Sequence, residues 1–472
     1  MSRYGQLADQ LQQQIESGVW RAGERIPSIR QSCKTHNLSP MTVLQAYQLL
    51  ESRGLVLARP QSGYYVKAAA SPQRISAPRQ ARYSGSVDIN DLVFEVLQAS
   101  KSRELVPLGM AVADPALFPH PQLGRALGSC MRRLDPFSTV ADLPPGNEIL
   151  RRAIARRYAD AGLAVDPQEI IITTGAMEAL SLSLQVLTEP GDWVVVESPT
   201  FYGALQAIER LKLNVVEIPV RPGVGIDLAL LAQALAERPI KACWLMGNVQ
   251  HPLGHTMPDG HKQALMQLLN AHRVPLVEDD VYAELYFGRE RPRPLKCWDA
   301  RGESLLCGSF SKCLAPGFRV GWVVAGAHAE RIQRLQLIST LSTNVPSQLA
   351  LADMLRQGGV DAHFRRLRHT LAQRQQQMRA ALLRLFPEAR ISAPDGGYFL
   401  WLEFDHRLDS RALHTQALAC GFSLAPGALF SSQGQHNHCL RLNSSHPWSP
   451  ALEAALARLA ELIHQQLGTG QG

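Results

Sequence analysis

Apolar residues recur every fourth position at Leu7, Leu11 and Ile15, the spacing of a helix that buries one face. Gly18 is placed to end that helix. A second short helix is expected from Ser28, whose hydroxyl suits an N-cap, through His36. A third starts at Ser39, again a cap, with Pro40 at its first position. Val43, Ala46, Tyr47 and Leu50 form its apolar stripe, and Gly54 closes it. The pattern then shortens to two strands, 55–59 and 63–66, joined by Pro60-Gln61-Ser62.

Three helices and a hairpin make a winged helix-turn-helix over residues 1–66. From about residue 105 helical stretches (147–162, 176–188, 203–212, 227–237, 258–272) alternate with short apolar strands at 169–173, 193–197, 215–219, 242–246, 275–278, 304–307 and 321–325. Such alternation predicts a largely parallel α/β sheet covered on both faces. Beyond residue 350 come long helices and a small α+β unit containing Tyr398–Phe404 and Cys439–Leu442. Between the two halves, residues 67–104 are expected to be a linker, because 67–86 are rich in Ala, Ser, Pro and Arg. Its charges Lys67, Arg74, Arg79 and Arg82 meet no acid before Asp88; a solvated tether is expected, with contact to DNA phosphates as the alternative.

Composition narrows the class only slightly. A length of 472 residues suits roughly three domains of about 150. No apolar run approaches the ~18–20 residues of a membrane span, and the first residues lack a signal-peptide core. The eight cysteines form no CxxC pair, which argues against a zinc site or a disulfide framework and for a reducing, cytoplasmic setting. The net charge of +7 is compatible with a polyanionic partner but discriminates little in so long a chain. Residues 1–66 hold seven Lys/Arg against four Asp/Glu, a balance that a protein-interaction domain could also show.

In ligand-binding α/β sheets the site lies at the carboxyl ends of strands. Asp279, Lys312 and the Gly175 loop all follow predicted strands, so they converge on one edge. A lysine that forms a Schiff base needs its amine pKa lowered by burial or nearby positive charge. Lys312 sits between small residues in S-x-S-K-x-x-x-P-G-x-R-x-G-W, with Arg319 seven residues on. Ser309, Ser311 and Arg319 together can clamp a phosphate, the arginine in bidentate fashion. Each alone is more often a surface or capping residue; the joint pattern points to chemistry.

This segment resembles the pyridoxal phosphate lysine motif of fold-type I aminotransferases, and residues 105–472 as a whole support the likeness. The resemblance implies that Gly175-Ala176-Met177 starts the phosphate-binding helix and that Phe201 stacks on the cofactor ring. It implies that Asp279, rather than Asp280, holds the ring nitrogen and that Tyr282, three residues on, bonds the ring oxygen. It makes Arg441 the receiver of a substrate carboxylate and places Tyr398 at the border of the same site. The family usually has Asn where this chain has His251, in His251-Pro252-Leu253-Gly254. A histidine can donate a similar hydrogen bond but can change charge near neutral pH, so cofactor binding is expected to survive while transamination comes into question.

Residues 1–66 resemble the winged helix-turn-helix of GntR-type regulators through Arg25-Ile26-Pro27-Ser28-Ile29-Arg30, Ser39-Pro40-Met41-Thr42-Val43 and Gly63-Tyr64-Tyr65-Val66. In that fold the third helix enters the major groove, which makes Ser39, Met41, Thr42 and Gln45 candidate readers, with Arg30, Gln61 and Ser62 as phosphate or groove contacts. A GntR-type head, a linker and an aminotransferase-like body in that order resemble the MocR family, closest to its YdcR-like branch. The resemblance implies a transcription regulator that binds pyridoxal 5'-phosphate through Lys312. It also implies a domain-swapped homodimer on operator DNA with two half-sites, controlled by the cofactor or by an amino compound forming an aldimine with it. The competing expectation is a working aminotransferase with an appended DNA-binding head.

Overall fold

The computed structural model describes residues 3–17, 19–20, 23–53, 55–59, 63–66, 80–85, 89–99, 101–102, 104–138 and 142–468. The chain divides into two compact units, 1–73 and 74–472. Gln61 and Ser62, expected at the wing tip, lie outside the described residues, as do Gly18, Pro60, Gly54 and most of 67–86.

In the first unit, helices Arg3–Glu16, Ile29–His36 and Pro40–Ser52 precede strands β1 (Val56–Arg59) and β2 (Gly63–Val66), which pair antiparallel. Ser28 and Ser39 cap the second and third helices, their hydroxyls each accepting an amide N–H at 3.2 Å, from Gln31 and Thr42. Leu7, Leu11, Val43, Ala46, Leu50, Val56 and Val66 meet in one apolar core. Inside it the Tyr47 hydroxyl donates to Pro27 O at 2.6 Å, which leaves Ser32 Oγ to donate to Tyr47 at 2.6 Å.

The second unit carries strands β3 (Arg82–Ser84), β4 (Ile170–Thr173), β5 (Trp193–Ser198), β6 (Asn214–Arg221), β7 (Gly225–Ile226), β8 (Ile240–Leu245), β9 (Leu276–Asp279), β10 (Leu305–Ser309) and β11 (Gly321–Val324). They form a sheet of order β3-β6-β5-β8-β9-β10-β11-β4, with β7 paired to β6. The five strands from β6 to β10 are parallel, while β11 runs antiparallel between β10 and β4. β4, β9 and β10 are buried along their whole length, as a sheet covered on both faces requires. A smaller antiparallel sheet, β12 (Arg390–Ile391)–β13 (Phe399–Glu403)–β15 (Cys439–Asn443)–β14 (Ala425–Pro426), follows the long helix Val360–Leu385. Its core joins Leu400, Leu402, Leu440 and Leu442 to Phe386, Leu413 and Leu456.

The linker expected over 67–104 needs correction. β3 pairs with β6 as an edge strand, with Ala81 and Tyr83 packed on the core beneath. Helix Asn90–Ala99 buries Val93 and Val96, beside Ile89, in the large core. One aromatic in three residues and a few spaced valines sufficed for docking, too little to stand out in a polar stretch. The buried Tyr47 pair generates a test. Tyr47→Phe leaves Ser32 and the Pro27 carbonyl without this partner, so chemical denaturation followed by circular dichroism should show a loss of about 1–3 kcal/mol.

Candidate functional site

The chain leaves β4 through Thr174 and Gly175, whose φ of +87° suits glycine, and enters helix Ala176–Leu187. Amides of a helix's first turn lack intrahelical partners and favour an anion. β11 presses Gly321 onto this turn so closely that a Cβ there would lie 2.5 Å from the Gly175 carbonyl carbon and 2.6 Å from Ala176 N. Arg319, held at φ +54°, reaches over Gly175 and donates to Thr174 O at 3.4 Å. At the end of β10, Ser309 Oγ accepts the Ser311 amide at 3.3 Å, and Ser311 Oγ is buried without a hydrogen-bond partner. Helix amides, two hydroxyls and a guanidinium therefore form a cradle for a dianion.

Lys312 follows three residues after β10. Its Nζ donates to Ala111 O at 3.0 Å and lies 5.6 Å from the centre of the Tyr282 ring. Burial, with Arg441 and Arg319 adding positive charge, pushes its pKa down to about 8, while Asp279 opposes. Asp279 ends β9. Burial raises its carboxyl to about 7, joined by the neighbouring Asp280 charge and opposed by the Val281 amide, Lys312 and the nearby Trp244 indole. Asp279 Oδ2 and Asp280 Oδ2 are both buried without a hydrogen-bond partner, but Asp280 Oδ2 faces the Arg291 guanidinium at 4.0 Å and its Oδ1 accepts from Asn248 at 3.0 Å. That difference favours Asp279 over Asp280 as the acid facing a ligand.

On the other side of Lys312, Arg441 of β15 is 1% exposed. Its guanidinium lies 4.3 Å over Phe399 and donates to Gly109 O and, at 3.1 Å, to His251 Nε2. Tyr398 is fully buried, and its hydroxyl donates to Ala111 O at 3.2 Å. His251 packs between Phe201 (5.4 Å between ring centres) and Tyr282 (5.9 Å). The expectation that His251 could change charge near neutral pH is overturned. Burial, then the Arg441 and Lys312 charges, hold its pKa well below the usual value. It stays neutral, with the lone pair of Nε2 committed to Arg441.

A protonated ring nitrogen, a phosphate and an aldehyde have matching groups here in Asp279 Oδ2, the Gly175–Ser311–Arg319 cradle and Lys312. The residues present thus fit pyridoxal phosphate. Among the described residues no group of three or more His, Cys, Asp or Glu could hold a metal ion.

In the first unit the stripe Val43–Ala46–Tyr47–Leu50 is buried, which turns Met41 (65% exposed) and Gln45 outward. Ser39 is exposed and Thr42 half-buried, but their hydroxyls bond each other at 2.8 Å. Arg30 is exposed on the preceding helix.

Residues 3–66 match the family described as bacterial regulatory proteins, gntR family, and residues 137–459 match aminotransferase class I and II. The chain is 51% identical to the Escherichia coli HTH-type transcriptional regulator YdcR, over 99% of this chain and all of that protein. It belongs to the MocR-type GntR regulators. The solved multiple substrate aminotransferase from Thermococcus profundus superposes with a TM-score of 0.74 at 28% identity, covering 80% of this chain and 95% of that one. The α-aminoadipate aminotransferase LysN from Thermus thermophilus, solved with N-(5'-phosphopyridoxyl)-L-leucine, gives 0.73 at 27%, covering 80% and 95%.

Several residues of this MocR-type site carried no readable signal. Tyr202 lies near Arg441 and is buried beside His251. Glu197 is raised to about 8 by burial, with the Asp279 charge adding to the shift. Gly109 and Ala111 face the site through their backbone carbonyls, so their side chains reveal nothing. The Gly321 contact supplies the test. Gly321→Ala forces backbone apart at the cradle and should lower stability by about 1–3 kcal/mol in denaturant titration, and weaken retention of pyridoxal phosphate on gel filtration.

Proposed function

We propose that this regulator binds operator DNA through its first unit and pyridoxal 5'-phosphate through Lys312, and that an amino compound bearing a carboxylate is its effector. The observation that carries the reading is the Lys312 amine placed just after β10, 3.0 Å from Ala111 O and 5.6 Å from the Tyr282 ring, its pKa pushed down to about 8 by burial and the Arg441 charge. When bound, the cofactor supplies an aldehyde for amines and an electron-withdrawing ring. Asp279 is suited to hold its ring nitrogen, Tyr282 its ring oxygen, Phe201 its face, and Ser309, Ser311, Arg319 and the Gly175–Met177 turn its phosphate. Neutral His251 orients Arg441 toward a carboxylate, and Tyr398 borders the same space. The phosphopyridoxyl-leucine in LysN supports a cofactor joined to an amino acid in a site of this fold.

The first unit offers Met41 and Gln45 to base edges, with Ser39 and Thr42 at the helix start and Arg30 toward phosphate. A DNA partner places the protein in the cytoplasm. A homodimer with two heads on two half-sites is in keeping with exposed Met177, Ile338 and Leu341, the first and last gathered by the Glu178–Thr340 hydrogen bond.

An amine reacts when deprotonated, so capture of pyridoxal phosphate should rise with pH through a midpoint near 8. Lys312→Ala should abolish the absorbance change. Arg441→Leu removes a cation that depresses the pKa and should move the midpoint upward; an unchanged profile in both variants sinks the assignment. The same preparations assayed with a panel of amino donors separate regulator from enzyme, since robust turnover would favour an active aminotransferase. For the head, Gln45→Ala should cost about 1–3 kcal/mol of operator discrimination in footprinting. Arg30→Ala should weaken all sequences alike and reduce the salt slope by about 1.

A further inference from the structure

Helices His120–Arg132, Val345–Gln357 and Val360–Leu385 of the second unit border a cavity of about 490 Å³. That size lies within the roughly 300–1,000 Å³ of small-ligand sites. Ala126, Leu314, Met354 and Val360 supply its apolar lining, with Leu314 and Val360 themselves buried. Leu314 belongs to the turn that carries Lys312, and His363, also in the lining, donates from Nε2 to Cys313 O at 2.8 Å. Gly175, Asp279, Tyr282, Ser311, Arg319 and Arg441 take no part in the lining, so the cavity is separate from the cofactor cradle. Gly358 and Gly359 keep one side open, since a Cβ on either would meet nothing within 4 Å.

The charges of this lining are unbalanced. Arg125 and Arg366 enter it from two different helices, and both are exposed. Asp353, the acid in the lining, is already taken by Arg133 and Arg356, each at 2.9 Å. Arg125 and Arg366 are thus left without an ion-pair partner among the described residues. We propose that the cavity binds an amphipathic organic anion, its apolar chain against Leu314, Met354 and Val360 and its carboxylate on Arg125 and Arg366. A guanidinium matches a carboxylate in bidentate fashion, and two of them select an anion over a neutral analogue. Each methylene removed from water adds to binding, so a chain of several carbons is favoured over a short acid such as acetate. The proposal stands on this cavity alone and does not depend on how Lys312 and Arg441 are used.

Isothermal titration calorimetry of the full chain with octanoate tests this. One octanoate per chain should bind with a Kd of about 1 mM or tighter. Octanamide, equal in length but uncharged, should bind about tenfold more weakly or worse. Arg125→Gln combined with Arg366→Gln, at exposed positions, should weaken octanoate by about the same factor. Ala126→Phe fills the cavity and should abolish binding, with circular dichroism checking that it folds; if it does not, the arginine pair decides. Absence of octanoate binding in wild type overturns the proposal, a second copy or the first unit covering the cavity being one cause. Equal affinity for octanoate and octanamide overturns it too, as does binding that the arginine variant leaves intact. Loss of binding in Arg441→Leu with retention in Ala126→Phe would place octanoate beside Lys312 instead, and equally overturns it.

Discussion

A lysine amine kept from full protonation inside a protein must have its charge opposed, and the second unit is arranged around that requirement. β10 delivers Lys312 to the carboxyl edge of the sheet, where burial and the cations Arg441 and Arg319 disfavour the ammonium form. Asp279, at the end of the adjacent β9, pulls the other way, so the amine settles near 8 rather than lower still. The parallel strands bring these groups together, because parallel neighbours end on the same edge.

The same arrangement explains the neighbouring groups. Buried Arg441 and half-buried Lys312, with the exposed Arg319 beside them, would repel strongly unless each had acceptors. Arg441 donates to a backbone carbonyl and to the neutral ring of His251, with its Nε left without a partner, Lys312 to the Ala111 carbonyl, and Arg319 to Thr174. Neutral acceptors hold the cations without cancelling their charge, which preserves both the depressed amine pKa and the pull on an incoming anion. A glutamate in place of His251 would bind Arg441 more tightly and remove that pull.

The elements were largely legible from pattern. Ser28 and Ser39 mark helix starts because their hydroxyls cap locally, and β2 begins and ends where alternation said it would. The placing of Lys312 after a strand was equally visible, since strand periodicity and a small-residue turn are properties of neighbouring residues. The docked segments at 82–84 and 90–99 were not, because three or four apolar contacts count only against a surface that distant residues build.

Sequence alone determined the order of the two units, the strand–helix alternation and the residue types that meet at the sheet edge, for these depend on local periodicity and motif spacing. Tertiary structure decided what those residues do to one another. It made His251 a neutral partner of Arg441, because burial and two nearby cations outweigh its intrinsic basicity. It also turned the carbonyls of Gly109 and Ala111 toward Arg441 and Lys312. Backbone carbonyls are the same in every residue, so their role follows only from where the folded chain points them.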